Sequence, residues 1–260
     1  MAACRRPDVE LWWERVGAGP AVLLVPGRGD SADVYPRCFV DPLVAAGHSV
    51  IRFDPRDTGR SGDGGTGYTL ADMADDAVAV LDAAGTDRCD VVGFSMGGLL
   101  LADLAVRHRD RVGRAVFLSA MSLDPEAGMG DDFFAYGDDP ETALLRAMGP
   151  ASDDDRAWVR SELEHAAQRA PARPDAAERH QAAAFRSEWG VLGTLAGVDG
   201  AVLVVHGDGD RVLPVAHGRA IADAVPDGRL VVMPGMGHYP RPAEWRQIAT
   251  TVVDHLTTQT

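Results

Sequence analysis

Lysine is absent from the 260-residue sequence, and all 25 basic residues are arginine. The absence excludes Schiff-base chemistry on a lysine, covalent pyridoxal phosphate included. It also excludes a P-loop lysine. Positive charge is scarce overall: 39 Asp and Glu residues set the formal net charge at −14. Phosphate binding needs a basic footprint, so nucleic acid is not an expected partner. The three cysteines, Cys4, Cys38 and Cys89, are odd in number and lack metal-type spacing. They predict no metal centre and fit a reduced, cytoplasmic setting. No apolar run approaches the roughly 20 residues of a membrane span. "MAACRRPDVELWW" has no continuous apolar core before its first charges, so neither a signal peptide nor membrane association is expected.

What is present is a globular composition, 46% hydrophobic, at a length that suits one large α/β domain. Apolar, β-branched runs recur as "VELWWERV", "AVLLVPG", "SVIRFD", "CDVVGFS", "RAVFLSA", "AVLVVHG" and "RLVVMPG". Between them lie amphipathic segments. One is "LADMADDAVAVLDAAG", which Thr69 precedes as an N-cap and Gly85 ends. "MGGLLLADLAVRHRDR" and "PAEWRQIATTVVDHL" are similar. Alternating strands and helices predict an α/β fold with a mostly parallel central sheet flanked by helices. Ligands then bind beyond the carboxyl ends of the strands. The alternation fails after Met121, where the chain turns acidic ("MGDDFFAYGDDPE", "ASDDDRAW") and helical. That predicts an inserted helical lid over 121–180, dividing a core made of 1–120 and 181–260.

The run "CDVV" leads into Gly93-Phe94-Ser95-Met96-Gly97 and then an apolar helix. This is G-x-S-x-G at a strand-to-helix turn. The serine backbone is strained there, the glycines admit neighbouring backbone, and the helix aims its first amides, beginning with Met96, at a developing oxyanion. A serine hydroxyl needs a base to become a nucleophile. Of the eight histidines, His238 in "VVMPGMGHYP" sits in a glycine-rich turn past the last predicted strand. His48, His108, His206 and His255 have quieter settings at strand or helix ends, His217 follows a proline, and His165 and His180 fall in the insert. An acid must orient the histidine. "VLVVHGDGDRVLP" offers Asp208 and Asp210.

With "GFSMGG", "HGDGDRVLP" and "PGMGH", the chain resembles the α/β-hydrolase fold superfamily over nearly its whole length. The segments "DVELW" and "VIRFDPRDTGRS" resemble the aclacinomycin methylesterase type. The chain order Ser, Asp, His agrees. The resemblance implies that the acid is Asp210, four residues before the proline. It also implies an oxyanion hole made by the backbone amides of Arg28 and Met96. One departure is plain: the turn after "AVLLV" usually reads His-Gly, whereas here it is Pro26-Gly27-Arg28-Gly29. A backbone donor survives that change, but the loop loses a support. "DPRDTGRS", residues 54–61, corresponds in the family to a turn held by internal Asp–Arg contacts. Phe133, Phe134, Tyr136, Trp158 and Trp189 are candidates for a pocket wall. The expected activity is hydrolysis of a small-molecule carboxylic ester, a methyl ester or lactone of a secondary metabolite, without metal or cofactor. C–C bond hydrolysis, perhydrolysis, a cyclase or decarboxylase reaction, and a ligand receptor on the same scaffold stay open.

Overall fold

A computed structural model describes residues 2–122, 124–133, 139–171, 173, 175–186, 195 and 201–258. Phe134, Tyr136 and Trp189 therefore lie outside the described residues. Eight strands form one sheet: β1 (Ala2–Arg5), β2 (Glu10–Val16), β3 (Ala21–Val25), β4 (Ser49–Phe53), β5 (Cys89–Phe94), β6 (Val112–Leu118), β7 (Val202–Gly207) and β8 (Gly228–Met233). Their spatial order is β1-β2-β4-β3-β5-β6-β7-β8. The first three in that order pair antiparallel and all later pairs are parallel.

The central strands are apolar for most of their length because both faces are covered. Leu23 and Val25 of β3 pack on one face while Val22 and Leu24 pack on the other. In β7, Val202 and Val204 alternate with Leu203 and Val205 in the same way. The first face is covered by α2 (Leu70–Ala83), α3 (Gly97–Arg107) and α7 (Ala216–Asp223), and the second by α1 (Arg37–Ala45) and α8 (Pro242–Thr257). Thr69 caps α2 in a capping box with Asp72, and Gly85 follows it at φ 62°. Such a cap contributes about 1 kcal/mol. Three further helices, α4 (Pro140–Met148), α5 (Asp153–Arg169) and α6 (Ala176–Arg186), stand in the chain between β6 and β7. Among the described residues, no helix is long and apolar enough to cross a membrane.

Candidate active site

Three turns at carboxyl ends of strands meet above the sheet. At the end of β5, Ser95 is held at φ 54°, in the left-handed region that β-carbon sterics disfavour. Its N–H donates to the Leu118 carbonyl at 3.0 Å, and its carbonyl accepts from Gly98 and Met121. The two glycines of the motif are required by proximity. A Cβ on Gly93 would sit 2.5 Å from the Gly97 carbonyl oxygen, and one on Gly97 would sit 2.3 Å from that of Val25. The second contact brings the loop after β3 alongside Ser95.

The loops after β7 and β8 are tied together. The Asp208 N–H donates to Met233 O at 3.3 Å and the Gly209 N–H to Met236 O at 3.1 Å. Gly207 has no room for a Cβ, which would lie 2.0 Å from Met236 O. That pairing sets His238 beside Asp210, with Nδ1 and Oδ2 2.7 Å apart. With Nδ1–H donating to the carboxylate, Nε2 is the acceptor for the Ser95 hydroxyl at 3.0 Å. The second oxygen of Asp210 accepts from the amides of Val212 and Leu213 at 2.9 and 2.8 Å. Burial pushes the Asp210 carboxyl up, but His238 and His206 beside it outweigh burial and hold it well below the usual carboxylate range. Asp208 turns instead to the Gly235 N–H at 2.6 Å. The hydrogen-bonded chain Ser95–His238–Asp210 provides a proton path from hydroxyl to imidazole, with a fixed anion behind it.

Arg28 and Met96 both line the cavity over Ser95, which has a volume of about 310 Å³. Among the described residues, the Met96 N–H donates to none. The Arg28 guanidinium lies over the Phe133 ring, 5.2 Å from its centroid. Phe133 thus forms part of the wall, as do Ala143, Leu144 and Ala147 of α4. Trp158 stacks on Tyr239 at 6.1 Å and does not line the cavity.

The support missing from the Pro26–Gly29 turn comes from His180 of α6. The Gly29 N–H donates to His180 Nδ1 at 3.0 Å. Because an amide only donates, Nδ1 carries no proton, and Nε2–H donates to the Arg56 carbonyl at 2.9 Å. His180 is fully buried, and burial lowers its pKa, which keeps the ring neutral. The segment 54–61 braces the same loop. Asp54 accepts from the Ala32 N–H at 2.9 Å while holding Arg60 through Nε at 2.7 Å and Nη2 at 2.8 Å. Arg56 makes a two-point pair with buried Asp76 of α2, at 2.7 and 2.8 Å. His180 was not singled out by the sequence. Its partners are 151 and 124 residues away, and no local pattern marks it.

Comparisons with known proteins agree with this architecture. The family model of the alpha/beta hydrolase fold matches residues 20–240. A protein named for carbamate hydrolysis, RutD of Variovorax paradoxus (strain S110), is 34% identical over 85% of each chain. The rhodomycin D methylesterase DauP of Streptomyces sp. (strain C5) is 28% identical over 96% of each. The solved structure of Est816, described as an N-acyl homoserine lactone degrading enzyme, superposes with a TM-score of 0.75 at 26% identity, covering 96% of this chain and 99% of that one. The chain belongs to the alpha/beta hydrolase fold family and is one of its hydrolases.

Proposed function

We propose that this hydrolase opens a small carboxylic ester, a methyl ester or lactone of a secondary metabolite, through an acyl-enzyme on Ser95. The observation that carries the reading is the Ser95 Oγ–His238 Nε2–His238 Nδ1–Asp210 Oδ2 chain at 3.0 and 2.7 Å. Ser95 Oγ attacks the carbonyl carbon while His238 Nε2 takes its proton. Asp210 holds the ring and stabilises the imidazolium. The amides of Met96 and Arg28 donate to the tetrahedral oxyanion. The alcohol leaves with the proton from His238, and a water activated by the same nitrogen releases the acid. The methylesterase and lactone-degrading relatives support an ester or lactone carbonyl as the target. The helices of 121–180 act as the lid over the cavity, between core segments 1–120 and 181–260. Three unpaired cysteines suit a reduced, cytoplasmic setting.

Ser95→Ala tests the reading. Its kcat on p-nitrophenyl butanoate is expected to fall by about three orders of magnitude or more with folding retained. A fluorophosphonate should add its mass to Ser95 of the unmodified enzyme and not to the variant. Undiminished turnover by Ser95→Ala would sink the acyl-enzyme scheme.

A further inference from the structure

Beside Ser95 stands a carboxylate that the acyl-transfer scheme does not use. Asp30 closes the turn after β3 by donating its N–H to the Gly27 carbonyl at 3.3 Å. Its side chain lines the cavity. A Cβ built on Gly27 would lie 2.7 Å from Asp30 Oδ2 and 3.2 Å from Ser95 Cβ. Carboxylate and nucleophile therefore border the same gap, which stays open because residue 27 has no side chain.

The other acids in this part of the fold are satisfied. Asp54 accepts from Ala32 and Arg60, and Asp57 accepts from Gly64, Tyr68 and Arg179. Asp132, also on the cavity wall, pairs with Arg211 at 3.2 Å. Among the described residues, the Asp30 carboxylate makes no hydrogen bond and no ion pair. Its cavity neighbours include Val34, Leu99, Met121 and Leu144 together with the polar Arg28, Ser95 and His238. Asp30 is half-buried, so its carboxylate takes its donors from whatever occupies the cavity. The cavity is the open side, so a molecule bound there can bring the missing donor.

We propose that Asp30 is a substrate-binding residue. Its carboxylate accepts a hydrogen bond from a hydroxyl or ammonium group on the acyl chain, close to the scissile carbonyl, and so selects donor-bearing acyl groups over plain ones. The acyl side is assigned because the alcohol departs with the proton of His238, whereas the acyl group stays on Ser95, whose Cβ borders the same gap as Asp30. The inference rests on the serine-hydrolase reading above.

The test compares kcat/KM for p-nitrophenyl butanoate, 3-hydroxybutanoate and 3-aminobutanoate in the unmodified enzyme, Asp30→Leu and Asp30→Asn. Only ratios between esters are read within each protein, so a loss common to all three cancels. The unmodified enzyme is expected to favour a donor-bearing ester about tenfold or more over the plain one, as suits a hydrogen bond to a charged acceptor. Asp30→Leu should bring the ratio close to one. Asp30→Asn, nearly isosteric, should spare a hydroxyl preference in part and abolish an ammonium preference, which identifies the donor. No preference in the unmodified enzyme, or a preference that survives in Asp30→Leu, overturns the proposal. Fluorophosphonate labelling of Ser95 in all three proteins keeps that failure separate from a failure of the acyl-enzyme scheme.

Discussion

Asp210 and Asp30 face opposite surroundings within one site. Two imidazoles and two amides stand around Asp210 and favour its charged form. Among the described residues Asp30 has no such donor, and burial pushes its carboxyl up to about 6, with His238 and Arg28 pulling it part of the way back. The consequences differ in sign. Asp210→Asn favours the wrong imidazole tautomer and leaves the imidazolium without its counter-charge, so kcat should fall by about 10³ or more. Asp208→Asn retains an oxygen for the Gly235 amide and should cost less than about tenfold. Purified variants assayed side by side settle the ranking, and the reverse order would show that the wrong acid has been assigned. For Asp30, the unfolded chain gives up its proton near 4 while the folded one holds it to about 6. Stability is therefore lost as pH rises between those values. Asp30→Asn should be more stable than the unmodified protein at pH 7, on the order of 1–2 kcal/mol, and the gap should close near pH 4. Urea midpoints across that range measure it. A variant less stable at pH 7 would reveal a favourable partner for the carboxylate.

At the level of elements, the strands that carry the site were the most legible. β3, β5 and β7 read as apolar runs because they are mostly buried on both faces, and β8 reads as one although it lies part-exposed at the sheet edge. The G-x-S-x-G turn fixed its own surroundings, since two of its positions tolerate no side chain. β1 had no comparable signal. Its four residues, "AACR", are mostly exposed and pair only with β2 at the sheet edge. His180 was illegible for another reason: a helical residue in an insert gains its role only when α6 meets a loop far away in the chain. If that contact aligns an oxyanion-binding amide in the Pro26–Gly29 turn, His180→Phe should lower kcat on p-nitrophenyl butanoate about tenfold or more while KM moves less than about threefold. His180→Gln, which keeps one donor and one acceptor, should recover part of the loss. Equal changes in kcat and KM, or no rescue by glutamine, would reduce His180 to a packing residue.

Across the whole molecule, the sheet acts as a platform on which distant chain segments converge. The Gly27–Asp30 turn, Ser95, Asp210 and His238 all follow parallel strands and so rise on one edge of the sheet. The helices between β6 and β7 reach back to that edge. α6 meets the Pro26–Gly29 turn through His180. The end of α4 meets the loop of His238: Ala147 O accepts from the Tyr239 N–H at 3.2 Å, and the Met148 and Pro150 carbonyls accept from Arg241 at 3.4 and 2.7 Å. A Cβ on Gly237 would lie 2.3 Å from Ala147 O, so the two backbones are in direct contact. These anchors make the insert a poor cassette. Transplanting it between relatives to borrow a specificity would also import a different set of struts beneath Ser95 and His238, so new selectivity and turnover cannot be inherited separately. A lineage changing its substrate by this route must re-fit loop, base and helices together, which favours small steps on the cavity wall over wholesale exchange.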